Sequence, residues 1–188
     1  MVVGPAMDLL SGRDPLQVLA QGNRAVSIHL SLRVKVLFWL TNGPYWALGF
    51  SLLVSAPPHL PPDRGPTAMH GLAMLTVAAV SSLFHGAVLS RPAFAPAGQL
   101  ERLIPFFLAA DLTVANAYGL YLAVASGFLL ALRFFALPLL LLTASAYTKR
   151  RGHILLYAAL HGAWHVLSCA AICRLLYRDG SGQPWPAL

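Results

Sequence analysis

Five residues in this chain have types and spacings that can do chemistry. His161 and His165 lie four apart inside an apolar run, so a helix sets both imidazoles on one face, within reach of one ion. Upstream, two other apolar runs carry Ser81 with His85, again four apart, and Asp111. Imidazole and carboxylate groups are costly in lipid and mark sites that use them. A third histidine from a neighbouring helix would complete the open three-ligand shell of a catalytic zinc. Such a zinc keeps a position for water, lowers the pKa of that water to about 7 and polarises a carbonyl. Asp111 beside it could accept a proton or orient a ligand. The chemistry expected is hydrolysis of an amide or ester at headgroup depth.

The surrounding composition is that of a membrane. Of 188 residues, 57% are hydrophobic and 10% are charged, and the mean hydropathy is +0.66. A soluble domain carries about 25% charged residues. Asp8, Asp14, Asp63, Glu101 and Asp179 fall outside or at the ends of apolar runs, and Asp111 alone lies deep within one. No strand-like alternation is present, so the fold expected is all-α, a polytopic membrane helix bundle. The net charge is +7, but the basic residues cluster at the ends of apolar runs rather than forming a face. Anionic lipid headgroups are therefore the expected partner, and nucleic acid is not. Cys169 and Cys173, four apart on one predicted helix, read as small packing residues rather than a disulfide framework. No secretory signal peptide is evident at the N-terminus, and Asp8 and Asp14 argue against a transit peptide.

About five spans must position the five residues. Residues 1–33 form a moderately amphipathic N-terminal segment, interrupted by Gly12 and Pro15, that predicts an interfacial helix. The first span is expected at 34–55, with a kink at Gly43-Pro44. A proline-rich loop from Pro57 to Pro66 leads to a second span at 67–90. The apolar stretch from Leu103 to Tyr147 is too long for one crossing of about 20 residues, and Ser126-Gly127 is its best turn. It divides into spans at 103–124 and 128–147. The last span covers 153–177, and residues 178–188 form a polar tail. Arg33, Lys35, Arg91, Arg102, Lys149, Arg150 and Arg151 fall on one side of this topology. That side, with the N-terminus and the metal site toward it, is expected to be cytosolic, or the matrix or stroma in an organelle. His85, Asp111, His161 and His165 all fall roughly 7 to 19 Å from that same face at helical rise. An even number of helices between the second span and the last would have separated them.

The remaining histidines read as bystanders. His29, His59 and His153 lie near loops or interfaces and are expected to be solvated. His70 begins the second span about 22 Å from His85 at helical rise, which excludes it from the site. Without metal, the set would be a hydrogen-bonded polar core, with Ser81 a packing residue and Asp111 paired with Arg102 or Arg133. Haem is disfavoured, because an i,i+4 pair on one helix points both nitrogens to the same side. Trp164, between the paired histidines, is expected to face lipid or a neighbouring helix. Gly86 and Gly162 are expected to allow close helix approach.

The ordered set Ser81-x-x-x-His85, Asp111 and His161-x-x-x-His165 resembles the CREST superfamily, which includes the alkaline ceramidases, the adiponectin-receptor-like proteins and the myomaker-type membrane proteins. The strings Ser-Ser-Leu-Phe-His at 81–85 and His-Gly-Ala-Trp-His-Val-Leu at 161–167 are similar to that family's style. The resemblance covers roughly residues 67–177. It implies that His85, His161 and His165 bind zinc, that Asp111 holds or deprotonates the zinc-bound water, and that Ser81 hydrogen-bonds near the metal. It also implies seven spans against about five here, with two helices missing between the aspartate span and the paired-histidine span. The offset stays odd, so the site topology is kept. Two functions compete. One is a zinc-dependent intramembrane lipid amidase or esterase. The alternative is a non-catalytic accessory subunit of a larger membrane complex, for example an organellar energy-converting one, that keeps the scaffold with or without the metal.

Overall fold

The structure, a computed structural model, describes residues 30–54, 66–89 and 99–177. These residues form six helices: α1 (Leu32–Leu40), α2 (Gly43–Val54), α3 (Thr67–Leu89), α4 (Gln99–Ser126), α5 (Phe128–Arg150) and α6 (Ile154–Leu176). Four stretches within α3 to α6 are long and apolar enough to cross a membrane: Thr67–Gly86, Leu103–Ser126, Phe128–Arg150 and Ile154–Leu176. The all-α bundle expected from composition is therefore the fold observed. The N-terminal interfacial helix over residues 1–29, the proline-rich loop and the tail from 178 lie outside the described residues.

The first span differs from expectation in an instructive way. The single kinked helix expected at 34–55 is two helices, broken at Thr41 and Asn42. Through the break the backbone bonds tighten to three-residue steps. Thr41 N–H donates to Phe38 O, Asn42 N–H to Trp39 O, and Tyr45 N–H to Asn42 O, at 3.1–3.2 Å. Pro44 falls in the first turn of α2, where its missing N–H is not needed. The Thr41 hydroxyl also bonds back to Phe38 O at 2.6 Å, which closes the end of α1. The other turn behaves as expected: Gly127 separates α4 from α5 with φ of 87°, a conformation that favours glycine.

The helices pack in a chain-order cycle that α2 closes. α2 lies against α3 and α6, α4 lies outside α3, and α5 lies outside α6. The main apolar core joins Tyr45, Leu48 and Leu52 of α2 with Met74, Val77 and Ala78 of α3. Tyr118 and Leu122 of α4, and Cys169, Ile172 and Leu176 of α6, complete it. A separate cluster of Phe84, Ile104 and Leu108 holds the first half of α4 to α3. A third, with Phe38, Tyr157 and Ala158, holds α1 to α6.

The pattern of burial is inverted relative to a water-soluble bundle. Phe106, Leu120 and Val124 of α4 face outward, as do Phe128, Leu129 and Leu140 of α5. The interior holds His70, Ser81, Ser82, His85, Ser145, Thr148, His165 and Ser168. Lipid reverses the usual penalty: outward apolar groups match the tails, and polar groups must find each other inside. Gly162 makes one such meeting possible, because a Cβ there would sit 2.9 Å from Thr41 Cγ2.

Gly162→Ala is therefore expected to destabilise the bundle by about 1–3 kcal/mol, read as a lower melting temperature in detergent. Thr41→Ser deletes the clashing methyl and keeps the hydroxyl. The double variant is expected to recover most of the loss, and an unrescued double variant would refute this packing.

Candidate metal centre

α3 ends, and α6 begins, at the end of the bundle where α1 lies across both. His85 comes from the last turns of α3, and His161 and His165 from the first half of α6. One nitrogen from each of the three rings can be chosen so that all three lie within 4.8 Å of one another. The ring centroids are 5.6 Å apart for His85 and His161, 5.3 Å for His85 and His165, and 5.0 Å for the paired histidines. The common depth inferred from helix counting is therefore realised, and the triad is close enough to hold a metal.

Two hydroxyls decide which nitrogens are available. Thr41 Oγ1 has its proton committed to Phe38 O, so across 2.9 Å it accepts from His165 Nδ1–H. Ser145 Oγ donates to Leu142 O at 2.7 Å, and at 3.3 Å it accepts from His161 Nδ1–H. With Nδ1 so engaged, Nε2 is the nitrogen each of the paired histidines can offer to an ion. This is the arrangement that orients metal-binding imidazoles from behind. His85 is 5% exposed and its Nε2 has no hydrogen-bond partner. An orphaned imidazole nitrogen beside two lone pairs is the donor set of a three-coordinate zinc shell, and the residues present fit that ion.

The walls of the centre are aromatic. The Phe38 ring lies 4.9 Å from His85, 5.5 Å from His161 and 6.1 Å from His165, so it covers all three. Trp164 is half-buried and packs its ring 4.9 Å from His161 and 4.7 Å from His165. It therefore supports the pair directly. Tyr45 lies 6.2 Å from His165, and its hydroxyl donates to Ser168. Lys149 sits one turn after Ser145, with Nζ 5.5 Å from the Tyr157 ring centroid. It acts electrostatically on His85 and His161. An anion held beside the triad would be favoured by this ammonium group.

Asp111 and Ser81 are brought together, one turn from the triad along α3. Ser81 hydrogen-bonds the Asp111 carboxylate. Ser81 precedes His85 by one turn, about 6 Å at helical rise. Asp111 itself is half-buried. It is outside the group of residues whose ligand atoms converge on one point. A carboxylate so placed can act on a water or a leaving group rather than as a direct ligand. The Arg102 side chain lies outside the described residues.

The excluded histidine is elsewhere, as expected. His70 is fully buried and its Nδ1 hydrogen-bonds Tyr118 OH at 2.9 Å. His153 is exposed at the start of α6. Sequence reasoning missed Thr41, Ser145 and Lys149. Thr41 sits at a break that had been read only as a kink. Ser145 and Lys149 belong to a helix assigned no site residue, although both share a face with Thr148 and Leu142. No known family model, curated protein or solved structure matches the chain.

His85→Ala, His161→Ala and His165→Ala are each expected to abolish binding of added zinc at the triad, measured by elemental analysis after loading and desalting. Thr41→Val and Ser145→Ala leave the ligands intact and are expected to weaken zinc affinity about 10- to 100-fold. His70→Ala is expected to keep full zinc occupancy, and loss of zinc there would refute the ligand assignment.

Proposed function

We propose that this chain is a membrane-embedded zinc-dependent hydrolase that cleaves an amide or ester bond of a lipid near headgroup depth. Its ordered set of site residues resembles that of the CREST superfamily, of which we propose it is a shortened member. The observation that carries the proposal is the state of the three imidazoles. Two have Nδ1 tied to hydroxyls, the third has an orphaned Nε2, and ligand atoms of all three lie within 4.8 Å. A polar core without a metal would use those nitrogens to hydrogen-bond each other or a neighbour. Zinc, when bound, would supply an activated water and polarise the scissile carbonyl.

The chain's own residues supply the rest. His85, His161 and His165 would hold the ion, and Phe38 shields it from bulk water. Asp111 takes the proton from the attacking water and returns it to the leaving amine or alcohol. Ser81 orients that carboxylate by hydrogen-bonding it. Lys149 stabilises the carboxylate product. The outward apolar faces of α4 and α5 suit surrounding lipid, which supports a lipid as the substrate. The site lies toward the basic, cytosolic, matrix or stromal face.

The test is release of fatty acid from amide- and ester-linked lipids in vesicles containing the purified chain. Asp111→Asn is expected to lose about 10²- to 10⁴-fold in rate while retaining zinc. Ser81→Ala is expected to show a smaller loss with zinc unchanged. Full zinc occupancy with no turnover on either lipid class would favour the non-catalytic accessory subunit.

A further inference from the structure

Asn42 is 1% exposed, and neither its Nδ2 nor its Oδ1 has a hydrogen-bond partner. A buried carboxamide with both groups unsatisfied is costly, and the cost is removed only by a group that fills them. Its place follows from the tightened junction between α1 and α2. Trp39, Asn42 and Tyr45 are linked by successive three-residue bonds, in which side chains three apart eclipse. Trp39 Nε1 donates to Ser82 O of α3 at 3.2 Å. Tyr45 OH donates to Ser168 of α6. Asn42 thus lies at the junction whose flanking tryptophans both reach Ser82 of α3, three residues before His85, and it follows Thr41, which meets His165 of α6. His85 Nε2, on the same stretch of α3, is likewise buried without a hydrogen-bond partner.

We propose that the Asn42 carboxamide is a further catalytic residue that holds the scissile carbonyl, an inference resting on the hydrolase reading above. Nδ2–H donates to the carbonyl oxygen, and Oδ1 accepts from the attacking water. As the water oxygen bonds to the carbonyl carbon, the π pair moves onto the carbonyl oxygen and the water proton passes to Asp111. Collapse of that adduct re-forms the carbonyl, breaks the bond to the amine or alcohol and hands it the same proton. The carbonyl oxygen carries most charge in the transition state, so a fixed donor there acts on rate more than on ground-state binding. Asparagine suits the position because it is neutral and offers both a donor and an acceptor.

The experiment uses the zinc-loaded full chain in lipid nanodiscs and palmityl trifluoromethyl ketone, whose hydrated carbonyl imitates the adduct, followed by fluorine NMR. Wild type is expected to bind it. Asn42→Leu, close in shape but without polar atoms, is expected to bind it about 100-fold more weakly with zinc stoichiometry unchanged. Without probe, Asn42→Leu is expected to melt about 2–4 °C higher, because the two orphaned groups are gone. Asn42→Asp keeps acceptors and loses the donor, so it is expected to bind weakly too, and it serves if the leucine variant does not fold. A variant with wild-type zinc and wild-type probe affinity overturns the assignment of Asn42 alone, leaving a buried water as its partner. A wild-type protein that holds no zinc, or holds zinc and ignores the probe, overturns the hydrolase reading and this assignment with it.

Discussion

A neutral imidazole buried among helices has one N–H to place and one lone pair to use. In water both needs are met at no cost; inside a bilayer each unmet group costs several kcal/mol. This bundle buries three such rings together, and much of its local architecture follows from placing their protons. Thr41 and Ser145 each receive an Nδ1–H only because each has sent its own proton to a backbone carbonyl, at 2.6 and 2.7 Å. One nitrogen of each ring is left within 4.8 Å of the other two. α1 must come close enough for the Thr41 contact, and Gly162 must lack a side chain for α1 to do so. The apolar packing of Phe38 with Tyr157 and Ala158 holds that approach in place.

The division between interior and exterior carries the same logic outward. Ser82 accepts from Trp46 Nε1 through Oγ and from Trp39 Nε1 through its carbonyl, both at 3.2 Å, so one residue of α3 anchors both halves of the broken helix. Ser168 joins α2 to α6 in the same way. These small hydroxyls do in lipid what large apolar side chains do in water: they specify which helix faces which. The apolar core around Met74 and Leu122 fills the other half of the bundle, and His70 meets it through Tyr118.

Much of this was legible in the sequence, and for identifiable reasons. Apolar runs report span positions because lipid tolerates little else, so α3 to α6 fall within a few residues of expectation. The i,i+4 spacing of His161 and His165 is a property of any helix, and the odd number of crossings between His85 and that pair placed all three at one level. What could not be read was the partner of each group. Thr41 lies 124 positions from His165, and no local pattern marks that pairing. Ser145 is nearer, but it resembles any small residue in a membrane helix. Gly43-Pro44 predicts a kink, whereas the helix breaks at Thr41-Asn42, where the Thr41 hydroxyl bonds back to Phe38 O and closes α1. Asn42 carried no signal at all: an asparagine beside glycine and proline reads as a turn, and only its burial reveals a group in want of a partner.

The broken first helix has a mechanical consequence. α1 is nine residues long and touches the centre through two neighbouring side chains, the Phe38 ring over the triad and the Thr41 hydroxyl behind His165. Cover and clasp therefore ride on one short rod, hinged at Asn42. Tilting that rod would uncover the imidazoles and release the ring of His165 in a single motion. The packing of α1 on Tyr157 and Ala158 consequently sets both how accessible the centre is and how firmly the His165 ring is aimed.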